Sequence, residues 1–238
     1  MKRIILFAVI TIFCFVAVDA HASIMWTMID DHFNDLSRWG GMNLGSGYAE
    51  IAPAGQLHLD STIVGDSNAG AVGQWIVGGI PDNFVIKTRT FLNSIGNETG
   101  NAYQIQIDNG GITLFIQLRA NGLYIIDKND MYHEIGNDVV QIGQWQEWAF
   151  DVKGANETIS NCDVYLNNIL LQSNIPCGKP GLPITDGFAY IGQYSYNTHT
   201  ESHTDYFKLG EHVVPEPSSI LLLGLGLFGT GLFRRKKV

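Results

Sequence analysis

Residues 102–127 alternate apolar and polar side chains with a period of two, and this constrains the fold more than any other feature of the chain. Tyr103, Ile105 and Ile107 fall on one side of an extended backbone, and Gln104, Gln106 and Asp108 on the other. Asn109-Gly110-Gly111 supplies a hairpin turn, since Asn and Gly accept the positive φ that tight turns require. Ile112, Leu114, Ile116 and Leu118 then alternate with Thr113, Phe115, Gln117 and Arg119, and Ala120-Asn121-Gly122 turns the chain into a third segment. A helix would spread these residues around its circumference, whereas a half-buried sheet keeps one face apolar. Similar short segments occupy 26–33, 48–51, 56–59, 69–77, 84–92, 131–135, 145–152, 161–166, 169–172, 188–194 and 204–209. About a dozen strands separated by Gly, Asn and Asp predict an all-β chain, a two-sheet antiparallel β-sandwich over residues 23–213. The inward Ile, Leu, Val and Phe side chains of both sheets would share one core.

The two ends read differently. Met1-Lys2-Arg3, an apolar run over 4–18 and Ala20-His21-Ala22 make a charged region, a hydrophobic region and a small-x-small cleavage site. This predicts a secretory signal peptide over 1–22, passed through the Sec translocon and cut after Ala22 by signal peptidase, with Ala20 and Ala22 as the small residues it reads. At the other end, Pro215-Glu216-Pro217 precedes a Leu/Gly-rich run and Arg234-Arg235-Lys236-Lys237. A membrane helix over 220–233 reaches ~21 Å against ~30 Å of hydrocarbon, and snorkelling arginines make up part of the difference. The basic tail 234–237 holds that end on the cytoplasmic side, which puts the body across the membrane. Six of the 14 Lys/Arg lie in the two ends, leaving 8 against 21 Asp/Glu between Ser23 and Val214, a net of −13. A body so acidic lacks the basic face of a nucleic-acid binder.

The order of Pro-Glu-Pro, Gly/Leu-rich span and terminal cations in 214–238 resembles the PEP-CTERM sorting signal of Gram-negative bacteria. That resemblance implies recognition by an exosortase, a membrane cysteine peptidase, with a cut near the motif. The protein would be anchored transiently in the inner membrane, then released or attached at the cell surface. It also implies an association with exopolysaccharide and biofilm matrix. The body resembles the concanavalin A-like lectin/glucanase (LamG-type) jelly roll. The residues concerned are Asp31-His32-Phe33-Asn34-Asp35 with Trp39, Gly55-Gln56-Leu57-His58-Leu59, 145–152 and Asp205-Tyr206-Phe207-Lys208-Leu209-Gly210. The likeness implies that the first and last strands pair. It also implies a structural Ca²⁺ site between them, for which Asp30, Asp31 and Asp205 offer hard oxygen ligands.

The glucanase branch of that superfamily uses a Glu-x-Asp-x-(x)-Glu strand motif, which is absent here, so the body is expected to be non-catalytic. Glu147 and Asp151, four residues apart, are the nearest substitute. His199, Glu201, His203 and Asp205 share one face if extended and form, with Asp31, the candidate metal ligands. Gln104, Gln106, Phe115, Gln117 and Arg119 leave the apolar face of the meander and, with Tyr194 and Tyr196, are candidate glycan contacts, an aromatic ring for stacking beside amides for hydroxyls. Cys14 departs with the signal peptide, and Cys162 and Cys177 remain as a pair in a compartment that permits disulfides. A bridge across ~15 residues would contribute about 3 kcal/mol. The expected protein is an exported, surface-sorted sandwich that holds polysaccharide. The alternatives are an adhesion protein with protein partners, or a glycosidase or lyase with an unrecognised site.

Overall fold

The computed structural model describes residues 23–42, 48–61, 71–95, 103–120, 122–155, 160–181, 184–192 and 200–213. The signal peptide with Ala20 and Ala22, the sorting motif Pro215-Glu216-Pro217, the expected membrane helix and basic tail, and Tyr194, Tyr196 and His199 lie outside them. Within them the chain is all β. The strands are β1 (Ser23–Asp31), β2 (Gly40–Met42), β3 (Tyr48–Ile51), β4 (Leu57–Asp60), β5 (Ala71–Ile76), β6 (Phe84–Ile95), β7 (Tyr103–Asp108) and β8 (Ile112–Arg119). They continue as β9 (Gly122–Ile126), β10 (Tyr132–Asn137), β11 (Trp145–Lys153), β12 (Ser160–Leu166), β13 (Ile169–Cys177), β14 (Lys179–Pro180), β15 (Gly187–Gly192) and β16 (Thr200–Val213).

Two sheets face each other across the core. The first has the order β13-β12-β11-β6-β16-β4-β3, with β1 joined to β16; the second has the order β10-β9-β8-β7-β15-β5-β2, with β14 joined to β8. The predicted antiparallel sandwich is therefore present, and its first and last strands pair. The short strands β2 and β14 carry no alternation that a sequence could show. Strand β16 begins four residues before the expected 204, which puts Glu201 and His203 on a strand rather than in a loop.

The period of two becomes the core directly. Trp148, Phe150 and Val152 of β11, Tyr103, Ile105 and Ile107 of β7, and Ile112, Leu114, Ile116 and Leu118 of β8 all enter one cluster between the sheets. Trp148, Phe33, Phe84, Phe150 and Phe207 are fully buried, each contributing on the order of 2–3 kcal/mol by removal of apolar area from water.

Asp31 is part of this construction. Its Oδ1 accepts from the Phe33 backbone N–H at 2.6 Å and its Oδ2 from Trp39 Nε1 at 2.8 Å. These bonds seat Trp39 against Phe33 and Phe207, at ring separations of 5.7 and 6.0 Å. Asp30 points outward to Lys208, and Asp205 pairs with Arg89. Neighbouring residues of a strand face opposite ways, so the three aspartates expected to hold Ca²⁺ are not brought together.

Cys162 and Cys177 are both buried, with free thiols, on the hairpin of β12 and β13. The register sets Cys162 opposite Ile175 and Cys177 opposite Ser160, so the cysteines are diagonal neighbours rather than opposed ones. Burial pushes the Cys162 thiol well up, and the Cys162 and Cys177 thiols lie near the Asp163 carbonyl and the Ser160 hydroxyl respectively.

Candidate functional site

The outer face of the second sheet carries a cleft of about 370 Å³, lined by Gln104, Gln106, Phe115, Gln117, Ile126, Tyr132 and Lys179. Cross-strand register explains how these residues meet. Gln117 is opposite both Gln104 and Tyr124, and Phe115 is opposite Gln106, which is in turn opposite Tyr190. Tyr132 enters from β10, opposite Ile126, and Lys179 from β14, opposite Thr113. The result is a row running across the strands, Tyr132, Ile126, Phe115, Gln106 and Tyr190. Five strands at ~4.8 Å make it roughly 19 Å long.

Polar groups in the cleft are held in fixed orientations. Gln117 Nε2 donates to Gln104 Oε1 at 3.0 Å, and Arg119 Nη2 donates to Gln117 Oε1 at 2.7 Å. The Arg119 guanidinium lies over the rings of Tyr124 and Tyr132, 4.6 and 4.9 Å from their centroids. Lys179 Nζ lies 5.5 Å from the Phe115 ring and is ion-paired to Asp130. Four of the seven residues predicted as glycan contacts thus line one cleft, and Arg119 borders it. Sequence reasoning missed Tyr124, Tyr132, Lys179, Tyr190, and the pair Trp75 and Phe188, whose rings are 4.9 Å apart on the same face with Trp75 61% exposed. Strand parity was enough to place Trp75 and Tyr190 outward once Val72 and Ile191 are read as core.

The loop from β9 to β10 positions Tyr132 and Asp130. Asp127 Oδ1 accepts from the backbone N–H groups of Asn129 at 2.8 Å and Met131 at 3.0 Å, and Oδ2 faces His133 Nε2 at 2.9 Å. The His133 bond foremost, helped by these backbone donors, holds the Asp127 carboxyl below the usual carboxylate range.

Of the predicted metal ligands, Glu201 and His203 come together, joined by His58 of β4, which the sequence reading did not include. Asp205 is turned aside: the register breaks between Thr204 and Tyr206, and its carboxylate meets Arg89 Nη1 at 3.0 Å. Burial and the adjacent His58 ring lower the His203 pKa below the ordinary histidine value, against the opposing pull of Glu201 and the Ala52 backbone.

Glu147 and Asp151 do not make a glycosidase pair. Both face outward on β11, and four residues of extended chain separate them by roughly 13 Å, beyond the ~5–9.5 Å that hydrolysis uses. Glu147 is also committed elsewhere, to Lys87 at 2.8 Å and to the Tyr206 hydroxyl. Burial would raise its pKa, but these two partners outweigh it and hold the carboxyl below its usual range.

Residues 213–237 match the PEP-CTERM protein-sorting motif. This motif implies an exported protein processed at the membrane by an exosortase. Among the described residues, no helix is long and apolar enough to cross a membrane. No curated protein matches the sequence. The fold is similar to that of the cellulose induced protein Cip1, with a TM-score of 0.52 and 15% identity over 76% of this chain and 96% of that one. It is also similar to an endo-β-1,4-glucuronan lyase from the fungus Trichoderma reesei, with a TM-score of 0.50 and 12% identity over 79% and 97% of the two chains. A carbohydrate esterase from the Shiga toxin-encoding bacteriophage phi24B gives 0.50 and 13% over 80% and 100%. At such identities the likeness shows the jelly-roll sandwich, and a fold of this kind hosts many functions.

Proposed function

We propose that this is an exported, exosortase-sorted protein of the cell surface or extracellular matrix, and that it holds a polysaccharide chain along the outer face of the second sheet without cleaving it. The observation that carries this reading is the cleft of Gln104, Gln106, Gln117, Phe115 and Tyr132. The half-buried Gln106 amide offers a donor and an acceptor to sugar hydroxyls over a floor made by buried Gln104 and Gln117, and the aromatic rings offer apolar faces on which a pyranose can stack. Arg119 and Lys179 add two cations on a body that is otherwise strongly acidic, which favours chains bearing carboxylates. The polar groups are already oriented by one another, so binding orders few side chains. Similarity in fold to enzymes acting on glycans and to Cip1 is compatible with a carbohydrate ligand.

The test is calorimetric titration of the mature protein with a panel of neutral and uronic-acid polysaccharides, followed by assay for new reducing ends and unsaturated products. Binding to the acidic chains, lost on combined Gln104→Ala and Gln117→Ala substitution, is expected with no product. Product formation would replace holding with catalysis. Failure to bind any polysaccharide, with capture of a protein partner, would favour adhesion.

A further inference from the structure

On the outer surface of the first sheet, away from the cleft, β3, β4 and β16 bring a second cluster together. The register places His58 opposite both Glu50 and His203, and Glu201 lies on the same side of β16 two residues before His203. His58 Nε2 is 3.2 Å from Glu201 Oε1, and His203 Nε2 is 3.8 Å from the same oxygen. The two imidazoles stack with centroids 4.5 Å apart and planes within 7° of parallel. We propose that His58, Glu201 and His203 bind a divalent transition metal of the zinc class through His58 Nε2, His203 Nε2 and Glu201 Oε1, and that the ion fastens β4 to β16.

Three independent features support the assignment. The ligand atoms all lie within 4.8 Å of one another, against the roughly 3.3 Å separation set by tetrahedral bonds of ~2.0–2.1 Å, so the two stacked rings would turn toward a common point on binding. The supporting shell is already in place. Glu50 Oε1 lies 3.2 Å from His58 Nδ1, placed to accept the Nδ1 proton when Nε2 holds the ion, as carboxylates do behind metal-bound histidines. Asn93 Nδ2 donates to Glu201 Oε2, which leaves Oε1 as the ligand atom. Finally, two imidazole nitrogens with one carboxylate oxygen select zinc-like ions over Ca²⁺ or Mg²⁺, which require oxygen-rich shells. Three ligands leave a tetrahedral ion one further position, for water or for a donor from another molecule.

Without a metal the same contacts form a hydrogen-bonded network of His58 with Glu50 and Glu201, and the experiment separates the two. Untagged mature protein, stripped with chelator, is titrated with Zn²⁺ and then with Co²⁺. The expected result is one ion per chain and a Co²⁺ visible spectrum of a low-coordinate nitrogen and oxygen site. The midpoint of thermal unfolding should rise by about 5–10 °C at zinc 100-fold above Kd. Glu201→Gln, nearly isosteric, should weaken binding at least tenfold, and Glu50→Gln, which touches no ligand atom of the ion, by about 10–100-fold. Both variants should keep the wild-type unfolding midpoint in chelator to within a few degrees. Absence of stoichiometric Zn²⁺ binding at millimolar concentration would leave only the hydrogen-bonded network and overturn the proposal. Zinc binding indifferent to both variants would overturn it as well.

Discussion

Replacing Asp31 by Ala removes the acceptor for Phe33 N–H and for Trp39 Nε1 at once, and leaves both donors in the core. An unpaired buried donor costs about 1–3 kcal/mol, so the variant should lose about 2–4 kcal/mol of stability in urea unfolding, with the slope unchanged. Asp31→Asn retains one acceptor and should lose less. The cleft residues are expected to behave in the opposite way. Arg119 stacks on Tyr124 and Tyr132 at the sheet surface, and Phe115 lies under Lys179. Arg119→Ala and Phe115→Ala should each lower polysaccharide affinity about tenfold, ~1.4 kcal/mol, while shifting the unfolding midpoint little. If affinity falls only in proportion to stability, the cleft is not the contact surface.

Between strands, the β9–β10 connection is the element that aims Tyr132 into the cleft, and Asp127 organises it. The Asp127 pKa is lower in the folded chain than in the unfolded one. Its stabilising contribution is therefore complete above the unfolded carboxylate range near pH 4, and is lost as pH falls through the lower folded value. The gap in unfolding midpoint between the protein and its Asp127→Asn variant should be widest above about pH 5 and should narrow steadily toward pH 2. A gap that stays constant across that range would mean that the turn does not depend on the charge. How legible the elements were follows from the same physics. Alternation in β7 and β8 is local, so it disclosed the strands, their inner faces and the outward Gln104, Gln106, Phe115 and Gln117. Pairing between distant strands is not local. His58 meets Glu201 across 143 residues of sequence, and nothing in Leu57-His58-Leu59 states which strand lies beside it. Asp31 carried the reverse difficulty, because a carboxylate ending a strand reads equally as a metal ligand or as an acceptor for backbone and indole N–H groups.

At the scale of the whole molecule, export and fold make separate demands on the chain. The exported compartment favours oxidation of Cys162 and Cys177, which lie diagonally across the β12–β13 hairpin. Diagonal partners in ordinary antiparallel geometry have Cα atoms ~7–8 Å apart, slightly beyond the usual disulfide span, so bridging requires the hairpin to draw in. The bridge is expected in protein recovered from outside the cell; two free thiols per chain on titration in denaturant would exclude it. The sorting motif presents the more consequential case. Strand β16 ends at Val213, and the residues matching the motif begin there. A cut at Pro215-Glu216-Pro217 or just beyond it therefore leaves the sequence of every strand intact, β16 included. Processing should then be separable from folding. Replacing Glu216 by Ala should leave the unfolding midpoint of the body unchanged, yet retain the chain in the membrane fraction at its unprocessed mass. The wild-type chain should be found outside, shortened by the apolar run and its four terminal cations. Identical mature mass and location for the two chains would show that the acidic residue of the motif is not what the peptidase reads.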